Sequence, residues 1–154
     1  MESIIAANAK SLERLRAFVS RLSDEDLGVE LDAGWTVGAL LAHLGFWDQR
    51  ALALVRRWQA QGFGPSPLDA DAINDAARPL FRELPATSVR SLVLEAAAAT
   101  DQAVAALAPS LADQIREHAS TFHLSRAVHR NLHLDELDRA LARTSDRPLT
   151  KAPA

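Results

Sequence analysis

Apolar residues recur at helical spacing from Ile4 to about Leu22, at Ile5, Ala9, Leu12, Leu15, Val19 and Leu22, and they predict a first helix with Ser3 as its N-cap. The stretch from Ser23 to Gly34 is acidic and breaks the pattern. Thr36 then caps a long second helix reaching about Gln61, where Gly62, Gly64, Pro65 and Pro67 end it. Between Asp69 and Leu84 a shorter helical segment, interrupted at Pro79, reads as a connector crossing the bundle, with Asp69 or Asp71 at its cap. Thr87 or Ser88 opens a third helix through Leu92, Ala96, Ala99, Ala103 and Leu107, stopped by Pro109, and its alanines invite close packing. A fourth helix starts between Ser110 and Thr121 and runs to about Arg143. Residues 1–145 are therefore expected to form one all-α domain, a four-helix bundle with a long crossover between helices two and three, and residues 146–154 a loose tail.

Composition narrows the class. The 154 residues are long enough to bury a sizeable core, and 48% apolar content rich in Ala and Leu favours helices over strands. The formal charge is −3, from 17 basic and 20 acidic side chains, and neither sign gathers into a block that would track a phosphate backbone, so no nucleic-acid partner is expected. The amino-terminal residues carry neither a basic flank nor a long apolar run, which argues against a signal peptide or membrane span and leads us to expect a cytoplasmic protein. Cysteine is absent, so disulfides, thiolate ligands and a cysteine nucleophile are excluded from the chain.

The informative chemistry lies in the histidines. His129 and His133 are four residues apart and share one helix face, while Asn131, Asp135 and Asp138 project to the opposite side and Phe122, Leu137 and Ala140 lie near the two imidazoles. On the second helix His43 lies beside Leu40, Trp47 and Leu54, with Gln49, Arg56 and Gln59 across the axis. Two independent patterns thus turn all three rings inward, where an unpartnered polar group costs about 1–3 kcal/mol. A carbonyl or carboxylate satisfies a buried histidine as readily as a metal does. Three neutral nitrogens meeting at one point, however, describe an open metal centre.

Arg126 and Glu136 flank the pair, one turn to either side. Glu136 can orient an imidazole through its second ring nitrogen and Arg126 can hold an anionic substrate, or each can reach the rim and extend into water, the expected course for Arg126. His118 is placed before the fourth helix or in its first turn, and His123 about 120° from His129; exposed or capping roles suffice for both. Trp35, Trp47 and Trp58 are read as core or pocket wall, with Trp47 near enough to His43 to border a cavity. Asn74 and Asp75 either approach the site or, as expected, serve a turn or cap. No Gly-rich phosphate loop or nucleophile elbow is present.

The segment Trp35-Thr36-Val37-Gly38-Ala39-Leu40-Leu41-Ala42-His43-Leu44, followed by Phe46-Trp47, resembles the start of helix two in the DinB-like metal-binding four-helix bundle superfamily, where a Trp-Thr pair leads to the first histidine ligand. His129-Arg130-Asn131-Leu132-His133 resembles its final-helix pair, and the layout fits over nearly the whole length. The resemblance implies that His43, His129 and His133 ligate zinc or nickel and that the protein is a homodimer. It also implies a thiol-dependent transferase or isomerase, or a hydrolase. A cation on three neutral histidines keeps its charge and favours the deprotonated form of a thiol or water. The leading expectation is a transferase of a low-molecular-weight thiol acting on an electrophilic small molecule, with hydrolysis by the same centre and non-catalytic small-molecule binding as alternatives.

Overall fold

The structure is a computed structural model and describes residues 1–119 and 121–145. Those residues form helices α1 (Glu2–Ser20), α2 (Asp24–Leu27), α3 (Val37–Gln61), α4 (Ala70–Arg82), α5 (Ala86–Ala105), α6 (Pro109–His118) and α7 (Ala127–Ser145). A short 3-10 turn spans Asp32–Gly34, and among the described residues there is no β-strand, only an isolated bridge between Glu30 and Thr36. The expected tail, 146–154, lies outside the described residues.

Local chemistry explains most boundaries. Thr36 caps α3 as expected, its hydroxyl accepting from the Ala39 amide at 3.1 Å. Asp69 caps α4 through the Ala72 amide at 3.0 Å. The first helix, by contrast, begins at Glu2, ahead of Ser3, and has no side-chain cap. Pro79 does not interrupt α4: it stands on the exposed face three residues before the helix ends, so one backbone hydrogen bond is lost beside water. Below it Arg78 and Arg82 donate to the carbonyls of Ala33 and Gly34, both at 2.8 Å, and tie α4 to the turn before α3.

The expected fourth helix is two helices. α6 ends at His118, α7 begins at Ala127, and the separation is held from a distance. Asn8 on α1 accepts from the amides of Arg126 and Ala127 at 2.8 and 3.2 Å and donates to the Leu124 carbonyl at 3.0 Å. It therefore caps α7 from more than a hundred residues away.

Helix α3 is the centre of the packing, touching α2, α4, α5 and α7, while α1 lies against α5 and α7. Its approach to α5 is close at Gly45, where a Cβ would stand 2.8 Å from Leu92 Cγ and 3.1 Å from Val93 Cα. Two apolar clusters fill the interior. One gathers Leu15, Leu41, Leu44, Val93, Leu134 and Leu137; the other Val55, Trp58, Val104, Ile115, Phe122 and Leu124. Phe122 thus packs with Trp58, ring centroids 5.1 Å apart, and belongs to that second cluster.

Between the clusters runs a buried polar layer to which α1, α3, α5 and α7 all contribute: Asn8 and Ser11, Asp48, Thr100, and Arg130, with Arg126 just ahead of α7. Asp48 accepts from Arg126 Nε at 2.7 Å and from Arg130 Nε at 2.8 Å, and Arg130 forks onto Asp101 at 2.8 and 2.9 Å. Two cations face two carboxylates, so the layer is internally neutral, as buried charge requires. Among the described residues no single helix is long and apolar enough to cross a membrane. Only α5 and α6 taken together are long and apolar enough, and they are bent by 111°.

Candidate metal centre

The one-turn approach to α3, capped by Thr36, aims the inner face of that helix at the first turns of α7, and there the three predicted imidazoles meet. One ring nitrogen from each of His43, His129 and His133 lies within 4.8 Å of the others. Ring centroids are 5.3 Å apart for His43 and His129, 5.0 Å for His43 and His133, and 4.9 Å for His129 and His133. The Nε2 atoms of His43 and His129 are 3.2 Å apart. Nitrogens sharing a tetrahedral cation at 2.0–2.1 Å stand about 3.3 Å from one another, so this pair already has the spacing of two ligands on one ion.

The electrostatics favour uncharged rings. Burial, with His133 adding to it, pushes His43 down to about 3. Burial first, then Arg126 and the neighbouring histidines, push His129 down to about 2. Both rings are neutral at physiological pH, so each keeps one nitrogen lone pair. His43 is the most enclosed of the three, and its Nδ1 has no hydrogen-bond partner. Three imidazoles, one carrying an unsatisfied buried nitrogen, form a donor set that suits a divalent cation.

The surroundings are specific to each ring. His133 Nδ1 is 3.1 Å from Glu136 Oε2, so of the two roles open to Glu136 it takes the orienting one. His129 Nδ1 faces Arg126 Nη2 at 3.4 Å. The expectation that Arg126 extends into water is overturned: the side chain is 11% exposed and ion-paired to Asp48, which draws it into the interior. Trp35 meets His43 edge-on at 5.3 Å, and Trp47 does so at 6.1 Å. Trp47 Nε1 donates to Asn74 Oδ1 at 3.1 Å, so Asn74 approaches the site and is not confined to a turn or cap role, while Asp75 is exposed and paired with Arg78.

The histidines open onto a cavity of about 450 Å³ whose walls include Trp35, Leu40, Trp47, Asn74, Arg126 and Glu136. A larger cavity, about 580 Å³, lies beside Trp58, Phe63 and Phe122, but His118 is the only imidazole there. His118 sits in the last turn of α6 and is exposed, as is His123. Asp48, Asp101 and Arg130 escaped the sequence reading. Asp48 lies five residues beyond His43 on the same helix, buried again after the partly buried Phe46 and Trp47, and a lone carboxylate in that apolar stretch is the available signal.

Fold and site together define an all-helical protein with three converging imidazoles able to hold a divalent metal. The chain belongs to the family described as Mycothiol maleylpyruvate isomerase N-terminal domain, which matches residues 9–133 and so takes in all three histidines. This is a DinB-like family, in agreement with the resemblance carried by the Trp35–Trp47 and His129–His133 segments. No curated protein and no solved structure matches the chain.

Proposed function

We propose that the chain is a divalent-metal-dependent enzyme that transfers a low-molecular-weight thiol to an electrophilic small molecule, with zinc or nickel held by His43, His129 and His133. The observation that carries this reading is the meeting of the three ring nitrogens within 4.8 Å at the wall of a ligand-sized cavity. A thiol as cosubstrate is supported by the family description, which names mycothiol, and it is compatible with a chain that has no cysteine of its own. In this reading α1, α3, α5 and α7 are the helices of a four-helix bundle and α4 is its crossover.

A divalent cation there would supply Lewis acidity that favours the deprotonated form of a thiol. The chain's own groups supply the rest. Trp35 and Trp47 screen His43 from water, and Asn74 fixes the Trp47 ring. Glu136 holds the His133 ring in one orientation, and Arg126 presents a cation at the cavity wall for an anionic group on the substrate. The protein is expected to act as a homodimer in the cytoplasm, without a nucleic-acid or membrane partner.

Incubating zinc- or nickel-loaded protein with a panel of electrophiles, with and without mycothiol, bacillithiol or glutathione, tests the reaction by product mass. Thiol adducts are expected. Water adducts independent of thiol would assign the same centre to hydrolysis, and stoichiometric retention of ligand without product would make it a binding protein.

A further inference from the structure

The contact between Arg126 and His129 determines where a proton sits. Arg126 Nη2 is 3.4 Å from His129 Nδ1. A guanidinium has only donors and stays charged in proteins, so Nδ1 is the acceptor, and a neutral imidazole that accepts at Nδ1 carries its hydrogen at Nε2. That Nε2 lies 3.2 Å from Nε2 of His43, which must then accept, leaving the His43 hydrogen on Nδ1. Nδ1 of His43 is the one buried side-chain nitrogen or oxygen among the described residues without a partner. A single assignment of protons thus accounts for both contacts and leaves the His43 hydrogen on the orphaned Nδ1.

The same assignment treats the three rings unequally. His133 faces the Glu136 carboxylate with Nδ1, so a hydrogen is there and Nε2 is the nitrogen left for a ligand bond. His43 likewise has a free lone pair on Nε2 once its neighbour stops donating. His129 alone has a hydrogen where a ligand lone pair is needed.

We infer that Arg126 holds His129 in the Nε2–H tautomer and is a positioning residue that opposes metal loading, because a cation can bind Nε2 only when the ring moves its proton to Nδ1 and the guanidinium withdraws. The Nε2 proton passes to solvent and Nδ1 takes one up, so the ring remains neutral. Nδ1–H then confronts another donor, and Arg126 Nη2 has to leave it. Asp48, bonded to Arg126 Nε at 2.7 Å, keeps the side chain anchored during that movement.

The second half of this inference rests on the metal reading of the cluster, while the tautomer is a property of the metal-free protein, and the experiment separates them. Long-range proton–nitrogen correlation NMR on the chelator-stripped full chain with ¹⁵N-labelled histidine reads the tautomer. Competition with a chromophoric chelator reads zinc affinity. The expected results are Nε2–H at His129 in the wild type, Nδ1–H in R126M, and zinc binding about tenfold tighter in R126M. R126K, whose ammonium can stay on Asp48 while giving up His129, is expected to change in the same direction and covers the case of a poorly folded R126M. Nδ1–H at His129 in the wild type would overturn the tautomer, and equal or weaker zinc binding by both variants would overturn the opposing role. Zinc binding by none of the three proteins would overturn the metal reading, leaving the tautomer to stand on its own spectrum.

Discussion

His133 Nδ1 donates to the carboxylate of Glu136, one turn further along α7, across 3.1 Å. The carboxylate fixes the ring and raises the basicity of its other nitrogen. E136A is therefore expected to weaken zinc binding by roughly tenfold to a hundredfold, measured by chelator competition, with helical circular dichroism unchanged. Unaltered affinity would remove Glu136 from the centre.

Metal-free protein is expected to lose stability as the pH falls from 7 to 5. The unfolded chain takes up protons at His43 and His129 near the ordinary value of 6.5, whereas burial first, with neighbouring charges, holds the folded pair down to about 3 and about 2. The unfolded state then binds more protons throughout that window, so stability is complete above about pH 6.5 and drains away below it. Urea midpoints at pH 7, 6 and 5 on chelator-treated protein check this. The H43Q/H129Q double variant should show a flatter dependence, and an equally steep one would exclude these rings as its source.

Removing the carboxylate of the neutral polar layer should be costly. D48A leaves the guanidinium of Arg126 without its anion and deprives Arg130 of one of two, and breaking a buried pair in this way typically costs about 3–5 kcal/mol. Chemical denaturation measures the loss. A change below about 1 kcal/mol would mean that water or a shifted side chain replaces Asp48.

At Gly45 propensity and packing oppose each other. Alanine would improve an isolated helix by about 0.5–1 kcal/mol, but its Cβ would stand 2.8 Å from Leu92 Cγ and 3.1 Å from the Val93 backbone. The backbone contact cannot rotate away, so G45A is expected to be net destabilising by about 1 kcal/mol or more. A higher melting temperature for G45A would show that α3 and α5 separate easily.

How far the sequence could be read depended on the range of the interactions involved. The cap at Thr36 and the inward direction of His43, His129 and His133 follow from spacing along one helix, and they appear where spacing puts them. The break between α6 and α7 follows no local signal among its described residues: from Ala119 to Arg126 they include neither glycine nor proline. It depends on Asn8 capping from α1 and on Phe122 packing against Trp58. Arg126 departs from expectation for a related reason. A charged side chain belongs at the surface unless a buried counter-charge awaits it, and Asp48, 78 residues earlier, is visible as that partner only once α3 and α7 are side by side.

The central claim, a metal held by three histidines, is tested most directly by elemental analysis of the chain purified without an affinity tag. About one zinc or nickel per chain is expected in the wild type, lost when His43, His129 and His133 are all replaced by alanine in a protein that keeps its helical circular dichroism. A wild-type protein that takes up no divalent metal after dialysis against either ion, or a triple variant that retains the full complement, would contradict it.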